Sequence, residues 1–274
     1  MTSGVVAASI VAHVPTLGLA QNTPPFQLPL VEGERQLGAE LRAGKPDLFV
    51  MLSSHWVCTF EWYATGRQVF EGVCVAEEAP HLIPGIPYRR KGDPEFARAL
   101  VEEWGKVSVP GRVNDFEHST YDYGSLVPLL YLDPDAEVPV VHLPSVLMAD
   151  HAECMRAGRA IDTVARRQGK KVVFFASSAL SHYLVRGREN RPTPDREAMD
   201  MRFMDMMKRG ALDEAIAWYP EFSKLGAVEM GGRPIATFLG VVQAMRDAGA
   251  KPKARQYGGY AQSSGSGNVV LNMA

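Results

Sequence analysis

Two apolar runs in this chain are built alike. Leu48-Phe49-Val50-Met51-Leu52 passes into Ser53-Ser54-His55-Trp56, and Val172-Val173-Phe174-Phe175-Ala176 passes into Ser177-Ser178 and on to Ser181-His182-Tyr183. Unbroken apolar runs of this length between turn signals predict strands covered on both faces, as in a parallel sheet. A glycine-bearing turn precedes each run, Gly44-Lys45-Pro46 and Gly169-Lys170-Lys171. A third run, residues 5–12, ends on His13 and is followed by Val14-Pro15. In open α/β sheets ligands gather outside the carboxyl ends of the strands, so three strands that each deliver a histidine to one rim predict a site.

The rest of the pattern alternates helices with strands. Helices are predicted over 30–43, stopped by Gly44; from Asp93-Pro94, with Asp as cap, to Trp104; over 125–132; over 151–168, with Arg166 and Arg167 at its basic end and Gly169 as its stop; over 193–208 and 212–218 on either side of Gly210; and over 234–248. Further strands are predicted over 107–113, 138–143 and 268–273, with a hairpin or two short strands inside 59–75. Residues 16–29 and 80–87 carry too much proline for long regular structure, and the Gly/Ser stretch 258–267 reads as a tight turn. Alternation of this kind predicts an α/β fold: one domain over 1–274, a mostly buried central sheet flanked by helices.

Composition narrows the class without naming an activity. The chain of 274 residues is 46% hydrophobic and 22% charged with a formal net charge of -2. That balance gives no reason to expect a nucleic-acid partner. No apolar run reaches the roughly 20 residues of a membrane helix, and residues 5–11 read as a strand rather than a signal peptide. Three cysteines, Cys58, Cys74 and Cys154, without paired spacing suit a reducing cytoplasm.

Candidate chemistry rests on the histidines. Seven are present. His13, His55 and His182 arrive at strand ends; His142 sits mid-strand and is expected in the core or behind the site; His151 begins a helix and is expected at the surface; His81 and His118 lie in loops. Two histidines and one carboxylate form the set that holds non-haem Fe(II) with positions left open. Glu229, an acid among the small and apolar residues just ahead of the helix at 234, is the best carboxylate candidate. Its competing roles are a salt bridge to Arg233 or a charge at that helix N-terminus. The glycines at 258–267 lack phosphate-loop spacing, and no Gly-x-Ser-x-Gly elbow follows a strand. Cys58 near His55 has no visible activating group and reads as a buried thiol. Trp56, Phe60, Trp62 and Tyr63 read as core or pocket wall, and Arg89, Arg90 and Arg186 as candidates to meet a substrate carboxylate. A zinc hydrolase using the same ligands, or a non-catalytic binding chain, stays open on these residues alone.

Five pieces in order, Ala12-His13-Val14-Pro15, Ser54-His55-Trp56, Asp122-Tyr123-Gly124-Ser125-Leu126-Val127-Pro128-Leu129, Leu180-Ser181-His182 and Glu229 with its following helix, carry a resemblance over nearly the whole chain. The chain resembles the class III extradiol ring-cleavage dioxygenases of the protocatechuate 4,5-dioxygenase β-subunit superfamily, and is most similar to the 2-aminophenol 1,6-dioxygenase branch. The resemblance implies Fe(II) held by His13, His55 and Glu229, with His182 as the acid/base residue. It implies dioxygen and a small aromatic substrate with two adjacent chelating groups, of catechol, 2-aminophenol or hydroxypyridone type. Tyr123, a further candidate catalytic residue, stands where many members carry histidine, which argues against a simple protocatechuate or gallate enzyme. Some relatives are paired subunits of which one has lost its iron ligands; this chain keeps all three, so it is expected to be a catalytic one. Dimers or tetramers are expected from the same resemblance.

Overall fold

The computed structural model describes residues 3–274. Strand β1 (Gly4–Val11) leads through three short 3-10 turns into α1 (Leu28–Ala43), and β2 (Leu48–Cys58) follows. Next come β3 (Trp62–Thr65), β4 (Val69–Cys74), β5 (Ile86–Lys91), α2 (Pro94–Lys106), β6 (Gly111–Asn114) and α3 (Tyr123–Leu132). The chain continues through β7 (Val140–Val146), α4 (His151–Arg167), β8 (Lys171–Ser177), α5 (Pro194–Arg209) and α6 (Leu212–Leu225). It ends with α7 (Arg233–Asp247), β9 (Ala254–Ser263) and β10 (Ser266–Met273).

Six strands form one mixed sheet in the order β7-β2-β8-β1-β10-β9. The first four run parallel, and β10 and β9 are antiparallel additions. The two-residue period of a strand divides each apolar run between two faces. Leu48, Val50 and Leu52 join Val172, Phe174, Ile161 and Phe238 in one core; Phe49 and Met51 join Val173, Phe175, Leu37 and Leu126 in the other. Each such side chain, fully buried, contributes about 1.5–3 kcal/mol. Helices on both faces are therefore a consequence of strands with no polar side. Caps fix where several helices begin: the Asp93 carboxylate accepts the Phe96 N–H at 2.9 Å, Asp150 that of Glu153 at 2.7 Å, and Asp122 that of Ser125 at 3.0 Å.

Four expectations change. β2 does not stop before His55 but runs on to Cys58, with residues 54–56 bulged out between the pairs Ser53↔Pro144 and Val57↔Ser145. Within 59–75 the two short strands exist but do not pair with each other; β3 lies along β6 and β4 along β5. The strand expected over 107–113 is confined to Gly111–Asn114. Finally, residues 254–263, part of which read as turn, form β9, and the turn itself is Ser264-Gly265. Gly258 takes φ +64°, and a Cβ there would come within 1.8 Å of the Pro29 carbonyl, so this glycine permits close packing on α1 rather than marking a chain reversal.

Candidate metal centre

The carboxyl ends of β1, β2 and β8 meet at one rim, where residues from later loops join them. His13 follows β1, His55 projects from the β2 bulge, and His182 lies on the loop after β8. Glu229 opens a 3-10 turn (Glu229–Gly232) ahead of α7. Its Oε1 lies 3.2 Å from His13 Nε2, 3.6 Å from His182 Nε2 and 3.7 Å from His55 Nε2. Its Oε2 accepts the Ala179 N–H at 2.6 Å. The donor atoms of His13, His55 and Glu229 lie within 4.8 Å of one another, a grouping that could hold a metal ion.

Glu229 does not serve Arg233. That guanidinium is bonded to the carbonyls of Met230, Ala149 and Leu147. The turn after Glu229 is left-handed throughout: Met230, Gly231 and Gly232 have φ of 51°, 62° and 79°. His151 binds the Gly231 carbonyl at 2.8 Å, and the Tyr219 hydroxyl binds that of Gly232. His151 is thus half-buried and holds this turn, rather than standing free at the surface as expected.

Charges in the cluster favour ligation. Burial alone would raise the Glu229 carboxyl, but the imidazoles of His13, His182 and His55 hold it well below the usual carboxylate range. Burial, with His13 beside it, pulls His55 down to about 4. Burial likewise opposes protonation of His13, yet the Glu229 carboxylate raises it above its ordinary value. A proton and a metal ion answer the same need here, positive charge beside a buried carboxylate. The outer ring nitrogens are engaged as a ligand histidine requires. His13 Nδ1 lies 3.0 Å from Ser177 Oγ, and His55 Nδ1 lies 3.3 Å from Glu78 Oε1. An ionised carboxylate and two imidazoles, each turned by an outer partner, fit a divalent first-row ion.

Tyr123, the first residue of α3, places its hydroxyl 2.8 Å from His55 Nε2. Burial first, then Glu78 and Glu229, keep this phenol protonated far above its ordinary range, so it is a donor. The Asp122 cap accepts the Ser53 hydroxyl at 2.5 Å, and Ser53 Oγ accepts the His55 N–H at 3.0 Å; this chain of contacts ties the start of α3 to the bulge.

A cavity of about 500 Å³ opens onto the cluster, with Val14, Pro15, Leu82 and Leu184 among its apolar lining and Ser263, Ser266 and Asn268 among its polar lining. The chain matches a family model over residues 7–269, described as the catalytic LigB subunit of aromatic ring-opening dioxygenase. The chain belongs to that family. Among its relatives, 3,4-dihydroxyphenylacetate 2,3-dioxygenase of Escherichia coli is 24% identical and covers 79% of this chain and 82% of its own length. The β subunit of 2-aminophenol 1,6-dioxygenase from Pseudomonas sp is 24% identical over 99% of this chain and 94% of its own. The α subunit of the same name is 26% identical, over 76% and 79%. A crystal structure of an uncharacterized protein from Escherichia coli K12 shares the fold across 98% of this chain and 99% of its own, with a TM-score of 0.69 at 18% identity.

Not every candidate reaches the site of this LigB-family chain. His142 is buried against Tyr121, with ring centroids 3.8 Å apart, and is pulled down to about 3 by burial and Arg90, so it belongs to the core. His118 is exposed and does not line the cavity, whereas His81 does. The Cys58 thiol is pushed up to about 11 by burial, which removes it as a nucleophile. Arg90 is buried against Asp133 at 3.0 Å, Arg89 pairs with Glu71 on the surface, and Arg186 is exposed outside the cavity lining; the arginine that lines the cavity is Arg188. Ser177, Glu78 and Arg188 were the missed residues. For Ser177 a signal existed, because the Ser-Ser pair that closes β8 repeats the one beside His55.

Proposed function

We propose that this chain is an Fe(II)-dependent extradiol dioxygenase that uses O2 to open an aromatic ring bearing two adjacent chelating groups, at a bond beside that pair. The observation that carries the reading is the convergence of one buried carboxylate oxygen with the Nε2 atoms of His13, His55 and His182. His13, His55 and Glu229 would hold the ion. Fe(II) bound there would supply the redox link between an electron-rich ring and dioxygen, which do not react directly at a useful rate.

The chain's own residues do the rest. Apolar lining residues such as Val14, Pro15, Leu82 and Leu184 bring a single ring to the ligand cluster and reduce the water around it. His182, at the same cavity wall, accepts a proton from the ring's hydroxyl as it docks and returns one as the ring opens. Tyr123 keeps its proton and donates a hydrogen bond at the edge of the site. All of 1–274 serves as the catalytic domain in this reading. The likeness to both an α and a β subunit supports an oligomer, which this reading takes as a homo-oligomer, a dimer or tetramer, and the three free cysteines accord with a cytoplasmic enzyme.

The test is anaerobic loading with Fe(II), followed by oxygen uptake on catechol, 2-aminophenol and 3-hydroxypyridone type rings. Uptake with a new visible absorption supports the proposal. A protein that binds no Fe(II) points to a non-catalytic chain, and one active only with zinc on hydrolysable substrates points to a hydrolase.

A further inference from the structure

His182 stands on a loop, and a loop holds a side chain accurately only where other groups fasten it. The residue before it is fastened from both sides. Asp200, on α5, is fully buried, and its Oδ1 accepts the Ser181 N–H at 2.9 Å. Its Oδ2 accepts the Ser181 hydroxyl at 2.7 Å and the Tyr260 hydroxyl, from β9, at 2.6 Å. The Ser181 carbonyl in turn accepts the Gly267 N–H at 2.8 Å, and the His182 N–H reaches the Ala227 carbonyl at 2.9 Å. The lattice also reaches the carboxylate ligand, because Ser181 bridges to Val228 and the Glu229 N–H donates to Leu180 at 3.2 Å. Gly267 shows how closely these parts approach: a Cβ there would lie 2.1 Å from the Tyr260 hydroxyl and 2.2 Å from Asp200 Oδ2.

We infer that Asp200 is the positioning residue for His182, holding the imidazole at the reacting ring through Ser181. Asp200 does not line the cavity, so it acts through the loop and not on substrate. A buried acid is a costly way to fill a core position, since an apolar side chain of similar size would avoid the desolvation penalty. What the carboxylate offers in return is geometry: it takes a backbone N–H and a hydroxyl from one residue, which no apolar side chain can do. The inference rests on the acid/base reading of His182.

The experiment is a double-mutant cycle on the Fe(II)-loaded full chain, using whichever of the rings above is turned over fastest. Asp200→Asn offers an N–H where an acceptor is needed. It should lower kcat about 10- to 100-fold, the scale of an ångström-level misplacement, with metal content and KM nearly unchanged. In the His182→Ala background the same substitution should change kcat less than about twofold, because the group it positions is gone. Tyr260→Phe, which leaves Ser181 held, should cost less than Asp200→Asn. Equal effects in both backgrounds, or loss of metal and KM together with kcat, would overturn the inference and leave Asp200 a structural acid. Normal turnover by His182→Ala alone would instead sink the acid/base reading. A readout independent of turnover is 15N relaxation of the histidine rings in the metal-free protein: His182 should gain mobility in Asp200→Asn while His13 and His55 do not. Unchanged His182 relaxation would count against the inference. Ser181→Ala serves in the same assays if Asp200→Asn does not fold.

Discussion

Ser177 Oγ stands 3.0 Å from His13 Nδ1 while giving its own hydrogen to the Gly124 carbonyl at 2.5 Å. With that hydrogen committed, Nδ1 has to carry the imidazole proton, and the lone pair falls on Nε2, facing Glu229. One hydroxyl therefore selects the tautomer that can bind a metal. Ser177→Ala should leave the fold intact and weaken Fe(II) binding about 10- to 100-fold. Competition with a calibrated chelator measures this, and unchanged affinity would rule out the tautomer role.

Loss of a ligand should act differently from loss of the proton shuttle. His13→Ala, His55→Ala and Glu229→Ala should each purify without retained iron and take up no oxygen. His182→Ala should keep its iron but lose about 10²- to 10⁴-fold in rate. Elemental analysis beside an oxygen electrode separates the two groups. An iron-free His182→Ala would make that imidazole a ligand.

Tyr123→Phe removes a donor that burial keeps protonated, while the aromatic contact with His55, at 4.1 Å between ring centroids, can persist. Turnover should fall about tenfold, in keeping with the loss of one hydrogen bond. Iron content should not change. Steady-state kinetics with metal analysis decides the matter, and full activity would reduce Tyr123 to a wall residue.

The residues that converge in the candidate site were easier to read from the sequence than the groups that hold them. His13, His55 and His182 could be found because strand ends in a parallel sheet share a rim, and Glu229 because an acid among glycines and apolar residues is unlike a solvated charge. Glu78 and Asp200 depend on which segments approach each other in space, and local sequence carries little of that, whereas Ser177 was at least marked by its repeated Ser-Ser pair. Asp200 in particular lies among the charged residues of α5, where nothing marks it as the member that points inward. β9 was hidden for another reason. Gly258-Gly259 reads as a turn until α1 is seen to press against it.

Asp200 also makes a prediction about acid. Burial lifts its carboxyl from 3.8 to about 6, against the hydrogen bonds from Tyr260 and Ser181 and with Glu197 adding to the rise. A value raised in the folded state means stability that is present below the unfolded value and lost as pH climbs through the folded one. The displacement corresponds to about 3 kcal/mol. Wild type should therefore lose stability relative to Asp200→Asn between about pH 4 and pH 7, with a level difference above that. Urea melts of both proteins across this range measure it. A constant difference would mean that Asp200 ionises as freely as in water.

The excursion of residues 54–56 leaves β2 after Ser53 and returns at Val57, in step with the next residue of β7. It is thus an insert whose two ends are already stitched to a neighbour. Residues could be added to or taken from it without re-registering the strands on either side. Evolution, or an engineer, can alter how far His55 leans toward its target by editing the two positions that flank it, while the load falls on the ladder to either side.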